Sequence, residues 1–128
     1  MEYLFLLGRV LLGGYFIMSG LKHFMHLENM TGYAKSKGVP MAREGVMASG
    51  LMMLLGGLGV LLGIYVSYAI YLLVVFLFVA AFKMHQFWTI AEPMSRMGER
   101  INFEKNLALA GALLMLLSLP VPWLMSLM

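Results

Sequence analysis

The run YLFLLGRVLLGGYFIMSGLKHF, Tyr3 to Phe24, decides how the rest of the chain is read. At a rise of ~1.5 Å per residue, roughly 20 apolar residues cross a bilayer, and this run is long enough. It holds one permanent charge, Arg9, and ends in a Lys22-His23 pair. At ~100° per residue, Glu2, Arg9, Gly13, Phe16, Gly20, His23 and Leu27 fall within about 40° of one meridian. A charge, two glycines and a histidine therefore share a face unsuited to lipid. That face is predicted to meet protein, water or a ligand.

Working outward, 62% of the 128 residues are hydrophobic and the mean hydropathy is +0.87. This predicts one membrane domain over residues 1–128 and leaves no length for a separate soluble domain. Three further apolar runs place the spans at about 3–22, 41–63, 66–87 and 103–126. The expected fold is an all-α integral membrane protein, a left-handed bundle of four transmembrane helices. Pro40 suits the first turn of the second span. Gly63 closes a tight hairpin into the third, where Tyr65, Tyr68 and Tyr71 suit an interfacial aromatic belt. Asn102 is the expected N-cap of the fourth span, with Glu104 in its first turn; Pro120 and Pro122 kink or end it, leaving Trp123 near an interface.

Two polar segments, Lys22 to Gly45 and Lys83 to Lys105, carry eight of the nine lysines and arginines. With four spans they share one side, so the positive-inside rule makes both loops cytoplasmic and both termini external, in a plasma or inner cell membrane. The start MEYLFLL is acidic and has no small-residue cleavage site, so a removable signal peptide is not expected. Each loop is predicted to hold a short surface helix. One runs from Glu28 to Lys37, with a membrane-facing stripe of Leu27, Met30 and Ala34 and a stop at Gly38 and Pro40. The other opens at Glu92-Pro93 and ends near Gly98. SGLKHF at the end of span one is echoed by AAFKMHQF at the end of span three. Two repeated helical hairpins would produce that echo; so would coincidence.

The chain has no cysteine, which excludes disulfide exchange, thiolate metal sites, iron–sulfur clusters and cysteine catalysis. The net charge of +3 sits beside apolar ends and reads as anionic-lipid contact and topology signal, not nucleic-acid binding. Arg9 either snorkels to Glu2, a tyrosine or lipid phosphate, or donates to a ligand inside the bundle. His23 and His85 face each other if spans one and three pack, as a metal or haem-iron pair or a proton relay; otherwise they bond headgroups or backbone. No H-x-x-x-H or H-E-x-x-H spacing supports a metal, and the fourteen methionines read as packing. Asn106, just inside span four, bonds its surroundings or joins Arg9, Lys83 and His85 in a polar wall. The glycine pairs Gly13-Gly14 and Gly56-Gly57, with Gly63, allow close helix approach, and Gly20, Gly50, Gly59 and Gly111 are read as structural with them.

In order and spacing, GRVLLGGYFIMSGLKHF, then YAKSKGVP, then an apolar hairpin, His85 and KNLALAGALL resemble the DoxX family over nearly the whole chain. The resemblance implies a small four-helix membrane protein. The family takes its name from a subunit of an archaeal thiosulfate:quinone oxidoreductase, and other members are linked to redox stress. It therefore implies a quinone or another redox-linked lipid ahead of haem or a metal. No catalytic set comes with it, so Arg9, His23, Lys83, His85 and Asn106 stand as ligand-binding candidates from the residues alone.

Three functions are weighed. The first is a redox-associated membrane subunit that holds a quinone-like or other amphipathic ligand in the bundle and works with a cytoplasmic or membrane redox partner, as a monomer or homo-oligomer. The second is a non-catalytic anchor whose basic loops dock a cytoplasmic enzyme. The third, a small transporter, ranks last because the first span lacks the carboxylate that proton coupling requires.

Overall fold

The computed structural model describes residues 2–123. Five helices follow in order: α1 (Glu2–Met25), α2 (Leu27–Ser36), α3 (Ala42–Leu62), α4 (Val66–Met84) and α5 (Pro93–Leu116), with a 3-10 turn at Phe87–Thr89. No strand occurs among the described residues. Three stretches are long and apolar enough to cross a membrane: α1, α3, and Val66–Thr89, which is α4 with the turn after it. The fourth helix, α5, is as long as α1 but carries charges through its first half.

The helices pack in a row, α1 on α3, α3 on α4, and α4 on α5. The buried residues of α1 are Arg9, Gly13, Phe16 and Gly20, all from the meridian predicted to avoid lipid. Glycine decides what lies against them. A Cβ on Gly13 would sit 2.8 Å from the carbonyl oxygen of Gly57, and one on Gly20 would sit 2.7 Å from that of Gly50. The helices run antiparallel, and each places its second glycine seven residues from its first. Seven residues is the period that keeps one seam in register in a left-handed packing, and small residues there let two backbones touch. On the other face of α3, Gly56 and Gly59 receive Leu73 and Ala69 of α4, each 2.5 Å from where a Cβ would be. Gly14 and Gly111 face open space, so the close approach at Gly13-Gly14 belongs to Gly13 alone. Phe16, Val60, Ile70, Leu73, Leu77 and Leu113 are fully buried along the centre of the row.

The α3–α4 hairpin is tight, as expected. Gly63 takes a left-handed φ of 71°, and its N–H and that of Ile64 both donate to the Gly59 carbonyl. Tyr65, Tyr68 and Tyr71 stand exposed beside it. At the other end of α3, Pro40 lies outside the helix; Met41, at φ 50°, is the N-cap and Ala42 is the first helical residue.

Several local expectations change. The surface helix α2 forms and ends at Ser36, two residues before Gly38, whose φ is 79°. Its stripe of Leu27, Met30 and Ala34, however, packs on Ala42, Val46 and Met84 instead of lying on lipid. The second surface helix does not exist as a separate element. Glu92 caps α5 by accepting from the Met94 and Ser95 N–H groups, Pro93 takes the first position, and the helix runs on through Gly98 and Asn102. An interior glycine costs only about 1 kcal/mol, and here the Arg100–Glu104 pair at 3.4 Å spans the expected break. The rings of Phe82, Phe87 and Trp88 pack edge-on against Phe103, 5.1–5.6 Å away, and fix that stretch to the end of α4. The helix expected over 103–126 therefore begins ten residues earlier and ends at Leu116, before the prolines; 124–126 lie outside the described residues. Trp123 is buried, its ring edge-on to Phe5 at 5.3 Å, not spread at an interface. The two halves also differ: the first polar segment holds α2, the second a 3-10 turn and the start of α5.

Candidate functional site

The five residues singled out as binding candidates fall into two places. Arg9 stands alone near the α3–α4 hairpin. Its Nη2 donates to the Leu61 carbonyl at 2.9 Å and its Nε to that of Val60 at 3.3 Å. The guanidinium also lies 5.7 Å from the Phe5 ring and 5.8 Å from that of Trp123. The last carbonyls of a helix have no intrahelical donor, and they carry the negative end of its dipole. Arg9 caps α3 from a neighbouring helix. It lines neither of the two cavities described next.

His23, Lys83, His85 and Asn106 gather at the opposite end, around two adjoining cavities. One, of about 290 Å³, lies between α2, α3 and the end of α4, with Lys83 and Tyr33 in its wall. The other, about 240 Å³, lies between α1, α4 and α5, and its wall holds Lys22, Lys105 and Asn106. Both are lined by His23, Met30, Phe76, Ala80 and His85, so the two histidines stand where the cavities meet. A depression of about 410 Å³ by the α3–α4 hairpin is larger, but among the described residues its side-chain polar groups are just the hydroxyls of Tyr65, Ser67 and Tyr68.

The partners of both rings decide which nitrogen donates. His23 Nδ1 is 2.9 Å from the Ser19 carbonyl, and His85 Nδ1 is 2.9 Å from Glu99 Oε2. A carbonyl or carboxylate oxygen only accepts, so each Nδ1 carries the proton and donates. In the neutral form, each ring leaves Nε2 as an acceptor. Asn106 differs: the residue as a whole is 6% exposed, and what its side chain exposes is the wall of the second cavity, with no hydrogen bond to another described residue. Its amide is therefore available to a polar guest there, beside apolar and aromatic side chains. Among the described residues, no three His, Cys, Asp or Glu side chains gather as a metal set.

Glu99 is the residue that sequence reading passed over. Its carboxylate accepts from His85 Nδ1 and from the Tyr33 hydroxyl at 3.3 Å, and Lys37 Nζ lies 3.7 Å away. One side chain thereby ties α2 and the residue after it, the C-cap of α4, and α5. Burial pushes the Glu99 carboxyl up, but the hydrogen bond and charge of His85, the charge of Lys37 and the Tyr33 hydroxyl together hold it below the usual carboxylate range. Tyr33 moves the other way: burial, then the charge of Glu99 and their hydrogen bond, push its hydroxyl up. The signal was present in the spacing. Glu99 and Asn106 are seven residues apart on one helix and so share a face, which shows only if α5 is continuous.

The family model described as DoxX matches residues 4–86, more than half of the 128. The chain belongs to the DoxX family. With its apolar helices, that makes it a membrane protein. No curated protein and no solved structure matches it. The match takes in α1 to α4 with Arg9, His23, Lys83 and His85, and stops before α5. Glu99 and Asn106, and the run KNLALAGALL read as part of the resemblance, lie beyond it in this DoxX chain.

Proposed function

We propose that this DoxX-family protein is a redox-linked membrane subunit that holds a quinone-like amphipathic molecule in the cavities around His23 and His85. The observation that carries the reading is Asn106, whose amide opens onto a cavity wall shared with two histidines and has no hydrogen bond to another described residue. The residues present fit such a head group. Asn106 donates to a ring carbonyl, the Nε2 atoms of His23 and His85 accept from a ring hydroxyl, and Phe76, Met30 and Met53 surround the apolar part. Lys83 adds a donor in the α2–α3 cavity. A bound quinone would supply two-electron, two-proton chemistry; the sequence contains no redox group of its own, so the electrons come from a partner. Arg9 in this reading is structural.

The same proposal keeps four spans, with α5, 24 residues long, as the fourth and its charged first half toward the loop side. The lysine and arginine bias then puts the loops containing α2 and the start of α5 in the cytoplasm and both termini outside. Glu99, beside Lys37 and Tyr33, sits on that cytoplasmic side and gives His85 a polar link toward water.

The test is mass spectrometry of the organic extract of protein purified in mild detergent, with a visible spectrum. Quinone in stoichiometric amount, lost in Asn106→Leu, is the expected outcome. An extract holding only bulk lipid sinks the reading and favours the anchor role. The exposed Lys35, Arg43, Arg96 and Arg100 would then be the surface to test against a cytoplasmic enzyme.

A further inference from the structure

α1 and α5 are the two ends of the helix row, and they do not pack along their lengths. The slot between them is shut at the hairpin end, where Phe5 and Arg9 of α1 meet Trp123. Farther along, one side-chain pair crosses it: Lys105 Nζ donates to the Tyr15 hydroxyl at 3.4 Å and lies 5.9 Å from the centre of its ring. Both residues are exposed on the outside, yet both line the cavity whose back wall is Phe16, Leu77 and Asn106.

Depth gives this crossing its meaning. Tyr15 is ten residues from the end of α1 at Met25, ~15 Å along the helix. With α1 and α5 as spans, in the topology proposed above, that sets it and the ammonium bonded to it inside the bilayer, away from both ends of α1. A charge there is expensive and is normally paired. Among the described residues Lys105 has no carboxylate partner, and its one hydrogen bond is long and goes to a neutral hydroxyl. A weakly held cation across the mouth of a cavity at membrane depth is a contact built to part.

We propose that the slot between α1 and α5 is a lateral portal from the bilayer into the cavity, and that the Lys105–Tyr15 contact is its latch. The inference rests on the cavity being a ligand site, as proposed above, and adds how the ligand arrives. A sideways route suits a molecule whose tail stays in hydrocarbon while its head moves inward to Asn106, His23 and His85. It requires no passage through the loops, where α2 covers the other cavity.

The chain has no cysteine, so Tyr15→Cys with Lys105→Cys introduces the only two thiols. The double variant is placed in lipid nanodiscs and divided, and half is bridged with a short bismaleimide. A photoactivatable azido-ubiquinone is added, and labelled peptides are followed over time by mass spectrometry. The unbridged half, which also lacks the latch, is expected to label cavity peptides faster than the unsubstituted protein does, and bridging is expected to slow that labelling about tenfold. The bridge is added to protein already shown to take the label, so misfolding does not imitate closure. Lys105→Met, which removes the latch, is expected to label faster. Equal rates with and without the bridge overturn the portal and leave the cavity reading standing. An unchanged rate in Lys105→Met overturns the latch. Failure of the unsubstituted protein to label any cavity peptide overturns the ligand site and the portal together.

Discussion

α1 meets its two flanking helices in opposite ways. Against α3 it brings Gly13 and Gly20 onto Gly57 and Gly50, and the backbones touch. Toward α5 it has no such seam; a cavity lined by the Asn106 amide and a long Lys105–Tyr15 contact fill the space. In a bilayer the lipid is as apolar as the side chains, so helices associate through close packing and polar contacts more than through hydrophobic burial. The α1–α3 seam uses the first of these. The α1–α5 slot uses neither fully, and room for a guest is the consequence.

The largest expected effect comes from breaking the seam. Gly20→Leu drives a side chain into the Gly50 carbonyl and should cost about 3 kcal/mol, read from SDS-induced unfolding in mild micelles. Gly14→Leu, which faces open space, should stay within about 0.5 kcal/mol. Equal losses would refute the seam. Next is Arg9→Ala, which uncaps Val60 and Leu61 at the far end of α3 and should cost about 2 kcal/mol in the same assay. The quinone content should not change; a loss of ligand at unchanged stability would move Arg9 back into the site.

The slot should respond with the other sign. Asn106→Leu replaces an amide on the cavity wall with an apolar side chain that packs on Phe16 and Leu77, so it should raise stability by about 1 kcal/mol while abolishing quinone labelling. A drop in stability would mean that the amide is satisfied by something built into the fold. The smallest effect belongs to Glu99, which holds α5 to α2 and α4 in place of a contact with α1. Its carboxyl is held below the usual range, so its contribution is complete above that range and is lost as pH falls through the lower, folded value. Acidification from the usual carboxylate range downward should therefore speed amide exchange in α2 more in the unsubstituted protein than in Glu99→Gln. At higher pH that substitution should cost up to about 1 kcal/mol, as partly exposed ion pairs do.

The sequence was legible where one element carried its own signal. The meridian Arg9–Gly13–Phe16–Gly20 follows from residue spacing on a single helix, and it is the buried face of α1. The hairpin at Gly63 and the stop at Gly38 need only a left-handed residue in the right place. The start of α5 was hidden because Gly98 and Asn102 both look like boundaries, and ring packing on Phe103 overrides them. Breaking the helix there also separated Glu99 from Asn106, the two residues that put α5 into the site.

Apolar length and the family resemblance were therefore enough, from the sequence alone, to establish a helical membrane protein and the face of its first helix that avoids lipid. Which end Arg9 serves, that Glu99 joins three elements, and that α1 is sealed on one side and open on the other were decided by tertiary structure. Periodicity along one helix reports only that helix's own faces; what meets each face, and what does not, depends on neighbours distant in the chain.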